Sequence, residues 1–288
     1  MRKPSSIRIG LARSLPIAAV LVVTTGSSTA MALQRAREST TVAPGSFGTA
    51  VAKCRGDRTA VSGGFAAPGF DPNAGATVGR LGSKRVSKRG IETRAFNFGN
   101  QAGALISFAY CAQHSHGLRV RSTTTQVDPN SRGSTIAKCP RHTIAVGGGF
   151  GTYRFSVDQG PQVITSTSKR LGERRWKVVG FNPSMRSGTL VAHAYCEAAP
   201  FQLVSRSKEV TPAVGAPETF DVRCPDGSKT FSGGFDGNLR LQGDQPRGTA
   251  AITSRRASGG RAWRTTVLSV FGPNPFASAT AYAYCRQR

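Results

Sequence analysis

The chain has 288 residues and a formal charge of +25, from 39 lysines and arginines against 14 acidic residues. That length suffices for one large domain or several small ones, while a charge of this size concerns solubility and partners rather than fold. No stretch has the roughly 20 apolar residues that a transmembrane helix needs, which excludes an integral membrane protein held by helices.

The first 32 residues have the features of a secretory signal peptide. Its parts are a basic segment (Arg2, Lys3, Arg8, Arg13), an apolar run (Leu15 to Val23) and a small-x-small cleavage site (Ala30-Met31-Ala32). The apolar run is too short to span a bilayer, so we expect cleavage before Leu33 and secretion of the rest of the chain. Loss of four basic residues lowers the formal charge to about +21.

After the signal peptide, one pattern of cysteine, Gly-Gly-Phe and Tyr-Cys occurs three times. The opening cysteines lie 85 residues apart, and the closing cysteines 85 and 89 apart. The copies are Cys54, Gly63-Gly64-Phe65, Tyr110-Cys111; Cys139, Gly148-Gly149-Phe150, Tyr195-Cys196; and Cys224, Gly233-Gly234-Phe235, Tyr284-Cys285. We therefore expect a signal peptide at 1–32 and three repeats at 33–113, 114–198 and 199–288, called units 1, 2 and 3.

All six cysteines belong to this pattern. Six cysteines allow 15 pairings, but an internal repeat favours the same pairing in every unit: Cys54–Cys111, Cys139–Cys196 and Cys224–Cys285. The alternative of zinc binding lacks any short Cys-x-x-Cys spacing. Three disulfides agree with export to an oxidising compartment.

The local signals within a unit are those of strands. In unit 2, β-branched and aromatic segments at 135–139, 143–146, 163–165, 176–181 and 189–196 are separated by turn residues. No segment has a sustained 3.6-residue apolar period, so we expect little helix. The prediction is an all-β protein of three disulfide-linked antiparallel repeats, arranged as small sandwiches in a row or, alternatively, as a pseudo-threefold β-prism.

Each Gly-Gly pair has a structural and a functional interpretation. An anion-binding loop would need a following Gly-Lys-Ser/Thr and a helix, and neither is present. A bulge, a strand exit with positive φ or the close approach of another strand fits better. The phenylalanine that follows would then be a core residue.

This pattern resembles the repeat of secreted bacterial proteins of actinomycete type. It consists of a cysteine often followed by proline, Gly-Gly-Phe, a later tryptophan (Trp176 or Trp263) and Ala-Tyr-Cys. The resemblance covers the whole mature chain and implies an exported β-rich module, with no activity to transfer. Unit 1 departs from it at Arg55 and Ile91. Three disulfide-bearing repeats are also similar in architecture to the β-prism of the egg vitelline membrane outer layer protein.

No constellation of residues predicts catalysis. His193 occupies the position of Phe108 and Tyr282, which indicates a packing role, and His114 and His116 have no metal-ligating partners in the other units. No Gly-x-Ser-x-Gly elbow is present, and the acidic residues do not recur as a pair. We expect no enzyme activity, no cofactor and no metal site.

A basic segment does recur, with the spacing of a hairpin. Its residues are Lys84, Arg85, Lys88 and Arg89 in unit 1; Lys169, Arg170, Arg174 and Arg175 in unit 2; and Arg255, Arg256 and Arg261 in unit 3. Three such hairpins could form a polyvalent basic surface. Alternatively, the charges serve solubility and block pairing of strand edges.

The function that these observations favour is an exported, non-enzymatic repeat protein that binds extracellular or cell-envelope polyanions through the basic hairpins. Cell-wall polymer, glycan and nucleic acid are the expected partners. The alternatives are a structural or surface component without a specific ligand, and an undetected hydrolase.

Overall fold

The structure is a computed structural model. It describes residues 33–71, 75–113, 117–153, 155–156, 162–198, 201–237, 240–242, 245–269 and 278–287. The signal peptide expected over 1–32 lies outside these residues, as do His114 and His116.

The described residues form twenty strands and one short 3₁₀ turn (Ser258–Gly260). Unit 1 contains β1 (Gln34–Val42), β2 (Phe47–Lys53), β3 (Thr59–Ala66), β4 (Val78–Arg85), β5 (Gly90–Asn97) and β6 (Gly103–Ala112). Unit 2 contains β7 (Arg119–Val127), β8 (Ser131–Lys138), β9 (Ile144–Tyr153), β10 (Ile164–Arg170), β11 (Arg175–Asn182) and β12 (Gly188–Glu197). Unit 3 contains β13 (Leu203–Val210), β14 (Glu218–Arg223), β15 (Ser228–Asp236), β16 (Arg240–Gln242), β17 (Gln245–Arg247), β18 (Thr249–Arg256), β19 (Ala262–Ser269) and β20 (Ala279–Gln287).

The strands form three antiparallel six-stranded sheets, beside the small β16–β17 pair. Their orders are β1-β6-β3-β18-β19-β14 (sheet A), β2-β5-β4-β9-β12-β7 (sheet B) and β13-β20-β15-β10-β11-β8 (sheet C). Each unit gives its first, third and last strands to one sheet and the remaining three of its main strands to another. The all-β, antiparallel fold expected from the sequence is confirmed.

Every sheet is shared between two units. The joints are β3–β18, β4–β9 and β10–β15, each with two paired residues. They connect unit 1 to unit 3, unit 1 to unit 2 and unit 2 to unit 3, which closes a ring. In a row of sandwiches, the strands of each unit would pair only with strands of the same unit. The shared sheets therefore rule out the row of sandwiches and favour the pseudo-threefold alternative.

The phenylalanines of the three Gly-Gly-Phe segments meet at the centre of this ring. The ring centroids of Phe65, Phe150 and Phe235 are 5.8–5.9 Å apart in edge-on contacts. All three side chains are buried. Edge-to-face packing of aromatic rings is favourable beyond the area that it buries, so the core joins the three units as well as filling each one.

The two glycines of each pair meet different neighbours. A Cβ on the first glycine would overlap Ile91, Trp176 or Trp263 of the same unit. A Cβ on the second, at Gly64, Gly149 or Gly234, would lie less than 3.0 Å from the backbone of the adjoining unit. The structural interpretation is therefore confirmed through close approach, with a register shift just before each pair and without positive φ.

The disulfides join the two sheets to which each unit contributes. The bonds are Cys54–Cys111, Cys139–Cys196 and Cys224–Cys285, as predicted. The tyrosine before each closing cysteine is buried, and its hydroxyl accepts a backbone N–H from the neighbouring unit. The pairs are Arg256 N to Tyr110 (2.6 Å), Arg85 N to Tyr195 (2.6 Å) and Arg170 N to Tyr284 (2.7 Å).

Candidate functional site

One arginine of each basic hairpin fastens its unit to the next. Its guanidinium donates to the carbonyl of a leucine at the start of the following unit: Arg85 to Leu118 (3.5 Å), Arg170 to Leu203 (3.3 Å) and Arg256 to Leu33 (3.2 Å). Each guanidinium also donates to a carbonyl of its own hairpin. Burial lowers the pKa of all three arginines. These side chains have a structural role.

A second arginine of each hairpin bonds to the opening cysteine or to the loop that follows it. Arg89 donates to the carbonyl of Gly56 (2.9 Å), Arg174 donates to that of Cys139 (3.0 Å), and Arg261 pairs with Asp226. Lys88 and Arg175 are exposed. The hairpins therefore do not present all of these cations free, because several of them already donate to backbone carbonyls or to a carboxylate of Asp226 or Asp236.

The remaining hairpin cations lie on the faces of the sheets, close to an aromatic ring. Lys84 lies 5.1 Å from the ring centroid of Tyr153, Lys169 lies 5.0 Å from that of Tyr282, and Arg255 lies 5.8 Å from that of Phe108. A cation over an aromatic face is attracted by the ring quadrupole. In all three sheets, this contact crosses the joint between two units.

The register places equivalent residues side by side across each face. On sheet A the row contains Arg37, Phe108, Arg255, Arg264 and Asp221. The same positions on sheet B are Ser122, His193, Lys84, Glu92 and Val51. On sheet C they are Ser207, Tyr282, Lys169, Lys177 and Ile136. The three faces share a backbone geometry but differ in charge.

Sheet A carries a groove of about 350 Å³ that is lined by four arginines, which we call the arginine groove. Arg35 and Arg37 project from β1, while Arg255 and Arg264 come from β18 and β19 on the far side of the joint. Ile106, Phe108 and threonines line the rest. The groove is therefore assembled from units 1 and 3, and neither unit contains it alone.

Within the described residues, one carboxylate pairs with these four arginines. Arg264 donates through Nε and Nη2 to the two oxygens of Asp221, both at 2.8 Å. This bidentate bond lowers the pKa of Asp221 and raises that of Arg264. Burial lowers the pKa of Arg255, and the nearby Arg264 and Arg35 lower it further, while Tyr110 and Asp221 oppose the shift. A bound anion would relieve the repulsion among these cations.

The corresponding cations on the other sheets have different surroundings. On sheet C, Lys169 donates to Asp236 at 2.6 Å and to the Tyr282 hydroxyl at 3.0 Å. On sheet B, Lys84 pairs in register with Glu92. Among the described residues, it is on sheet A that the recurrent cation shares one groove with three further arginines.

Three of the four arginines (Arg35, Arg37 and Arg264) escaped the sequence argument because it looked for recurrence, which identified Arg255 only. Positions 35 and 37 correspond to Val120 and Ser122 in unit 2, and to Ser205 and Ser207 in unit 3. The useful signal at these two positions was the departure from the repeat. Arginine at a position where sibling units fold with serine or valine has no structural necessity, which points to a role in binding.

Two other charged or ionisable positions have packing roles. Arg80 lies 4.5–5.4 Å from all three central phenylalanine rings and donates to the carbonyls of Thr165 and Ala251, which are its equivalents in units 2 and 3. Burial lowers its pKa to about 9. His193 is buried, as its place in the repeat indicated, and its Nδ1 lies 2.7 Å from the Ser122 hydroxyl.

The part of the chain that the structure describes contains no group of three or more His, Cys, Asp or Glu side chains arranged for a metal. It also contains no helix with the length and hydropathy that crossing a bilayer requires. A comparison with protein-family models finds no matching family, and a comparison with curated proteins finds no similar sequence.

Proposed function

We propose that this is an exported, non-enzymatic protein that binds extracellular or cell-envelope polyanions, and that the arginine groove of sheet A is its binding site. The observation that carries the proposal is the concentration of Arg35, Arg37, Arg255 and Arg264 in one concave surface with a single paired carboxylate. Of the hairpin cations, Arg255 contributes to this groove, while Arg85, Arg170 and Arg256 hold neighbouring units together.

Binding would depend mainly on charge. A guanidinium is planar, stays protonated and can present two N–H donors to one phosphate, sulfate or carboxylate group. When several such groups bind a polyanion, condensed counterions are released, and the affinity falls steeply as salt rises. The strands of sheet A already fix the backbone of the four arginines, so the entropy cost of binding falls on their side chains.

An extracellular location is part of this proposal. The three disulfides are typical of proteins from oxidising compartments. The N-terminal pattern of basic, apolar and small residues is that of a signal peptide. Polyanions available outside a cell, such as wall polymers and acidic glycans, are the partners that fit.

The test replaces the two arginines that have no structural equivalent. Arg35→Ser with Arg37→Ser reproduces the residues that unit 3 carries at these positions, so folding should be preserved. We expect the affinity for labelled heparin and for poly(glycerol phosphate) to fall about tenfold or more. The slope of log affinity against log salt should become less steep by about 1.4, since two contacts are lost at about 0.7 each.

The control makes the same change in net charge in β7, at the positions just before the equivalents of Arg35 and Arg37. Arg119→Gln with Arg121→Ala reproduces Gln34 and Ala36 of unit 1. This variant should bind nearly as well as the wild type. If both double variants weaken binding equally, the attraction is a property of net charge and the arginine groove is not a site.

The alternative function, a structural or surface component without a specific ligand, has its strongest support in an exposed aromatic cluster. Phe47 and Phe98 are about half exposed and pack around Phe96 and Phe155. A surface role of the repeats would require such a patch in every unit. This cluster draws three of its four rings from unit 1, so the polyanion proposal has the better support.

A further inference from the structure

A second depression borders the arginine groove. It has a volume of about 380 Å³ and is lined by Leu33, Arg35, Lys229, Arg256 and the turn at 257–260. Arg35 lines both depressions. A basic path therefore runs from Arg264 and Arg255, past Arg37 and Arg35, to Lys229.

We propose that this path takes a flexible linear polymer with repeated phosphate-type anions on its backbone, which crosses from the arginine groove into the second depression. The inference rests on the proposed function and adds the form of the ligand. An isolated anion would engage one part of the path only. A chain with regularly spaced charges engages all of it.

The state of the basic side chains supports a chain rather than a single ion. In the described part of the molecule, the side chains of Arg35, Arg37 and Lys229 take part in no hydrogen bond or ion pair. Arg35 and Arg37 are two positions apart on one strand, which places them about 6.7 Å apart along it. Side chains at this separation can each contact a different group of a polymer chain that runs along the strand.

The aromatic residues beside the path argue against nucleic acid. Proteins that bind single strands generally stack bases on exposed aromatic rings. Among the described residues that line the two depressions, Phe108 is the only aromatic one, and it is 4% exposed. The surface offers cationic donors and threonine hydroxyls, which suit a polymer whose recognition lies in its backbone charge.

The experiment measures binding of orthophosphate, tripolyphosphate and long-chain polyphosphate by calorimetry at several salt concentrations. We expect the affinity to rise by about 100-fold or more from the single ion to the long chain, because each bound group raises the effective concentration of the next. Poly(glycerol phosphate) should behave like polyphosphate. Single-stranded DNA of similar charge should bind more weakly than either.

Two variants separate the parts of the path. Lys229→Thr, which reproduces Thr59 of unit 1, should leave tripolyphosphate binding unchanged and make the salt slope for the long chain less steep by about 0.7. Arg35→Ser should weaken both ligands. Thermal unfolding of each variant should match the wild type and so exclude a folding defect.

The outcomes distinguish this inference from the proposed function. If long chains bind through Arg35 and Arg37 but Lys229→Thr changes nothing, the path ends at the arginine groove and only the inference falls. Tighter binding of single-stranded DNA than of polyphosphate would replace the inference with a nucleic-acid site. If no polyanion binds at physiological salt, both the inference and the proposed function are wrong.

Discussion

At the residue scale, the middle of the last strand of each unit is occupied by Phe108, His193 or Tyr282, and we expect the histidine to make the stability of the fold depend on pH. Burial lowers the pKa of His193 to about 4, and the charge of Lys84 contributes. Its Nε2 is buried and has no hydrogen-bond partner among the described residues. The neutral ring is therefore the form that fits the folded protein.

Acid should weaken the fold through this residue. The unfolded histidine has a pKa of about 6.5, so between pH 6.5 and about 4 the unfolded state binds the proton and the folded state does not. The free energy of unfolding should fall across this window by at most about 3 kcal/mol, and this contribution should be constant below it. Urea unfolding at a series of pH values measures the loss.

His193→Phe introduces the residue of unit 1 and should remove most of that pH dependence. His142→Asn is the matched control, since His142 is exposed and has a φ of 61°, which asparagine tolerates. The control should unfold with the same pH profile as the wild type. An unchanged profile in His193→Phe would show that other groups cause the acid sensitivity.

Residue-scale prediction from the sequence succeeded where residues recur. The cysteine pairs, the buried phenylalanines and the packing role of His193 all followed from matched positions. The arginine groove did not, because Arg35 and Arg37 are exceptions to the repeat and meet Arg255 and Arg264 only across the joint between units 1 and 3. Recurrence identified Arg255, a search for departures from the repeat would have identified Arg35 and Arg37, and Arg264 was missed.

At the scale of elements, the second glycine of each pair allows two strands of different units to pair at the joint. At Gly149 a Cβ would overlap the carbonyl of Ser83 and lie 2.7 Å from the Tyr195 hydroxyl. Gly149→Ala should therefore force β4 and β9 apart. Overpacking of this kind typically costs about 1–3 kcal/mol, which should appear as a lower urea midpoint and a lower Tm.

Gly151 provides a control in the same strand. A Cβ there would meet no atom within 4 Å, and the equivalent residues are Ala66 and Asp236. Gly151→Ala should be close to neutral. If the two alanine variants are equally stable, the joint tolerates separation and close approach does not explain the glycine pair.

The strands themselves were predictable, whereas their pairing between units was not. Alternating and β-branched segments indicate strands through local sequence alone. Each joint, in contrast, consists of two residue pairs between strands far apart in the chain, such as Ser83 with Phe150. Contacts that are so few and so distant in sequence leave no local pattern of residues. Gly149 is the exception, because the close approach of β4 requires glycine at that position.

At the scale of the whole molecule, the ring explains why three units are needed. Three kinds of contact join one unit to another: the packing of the central phenylalanines, the tyrosine hydrogen bonds, and the hydrogen bonds from the hairpin arginines to leucine carbonyls. The disulfide, in contrast, lies within the unit and links its two sheets. Each unit is therefore covalently closed but depends on its neighbours for its core.

An isolated unit should consequently lack a stable monomeric fold. Residues 114–198, expressed alone in oxidising conditions, would retain Cys139–Cys196 but lose the partners of β9 and β10. Phe150 would also lose the contacts with Phe65 and Phe235 that bury it. We expect no sharp thermal transition from the monomer, and an unpaired edge of this kind favours self-association.

The full-length protein provides the reference for this experiment. Since the core runs through all three units, it should unfold in one transition whose midpoint is the same by circular dichroism and by tryptophan fluorescence from Trp176 and Trp263. A monomeric unit 2 with its own cooperative transition would contradict this interpretation. It would mean that the disulfide and the local sheets suffice for folding, and that the ring only assembles units that are already folded.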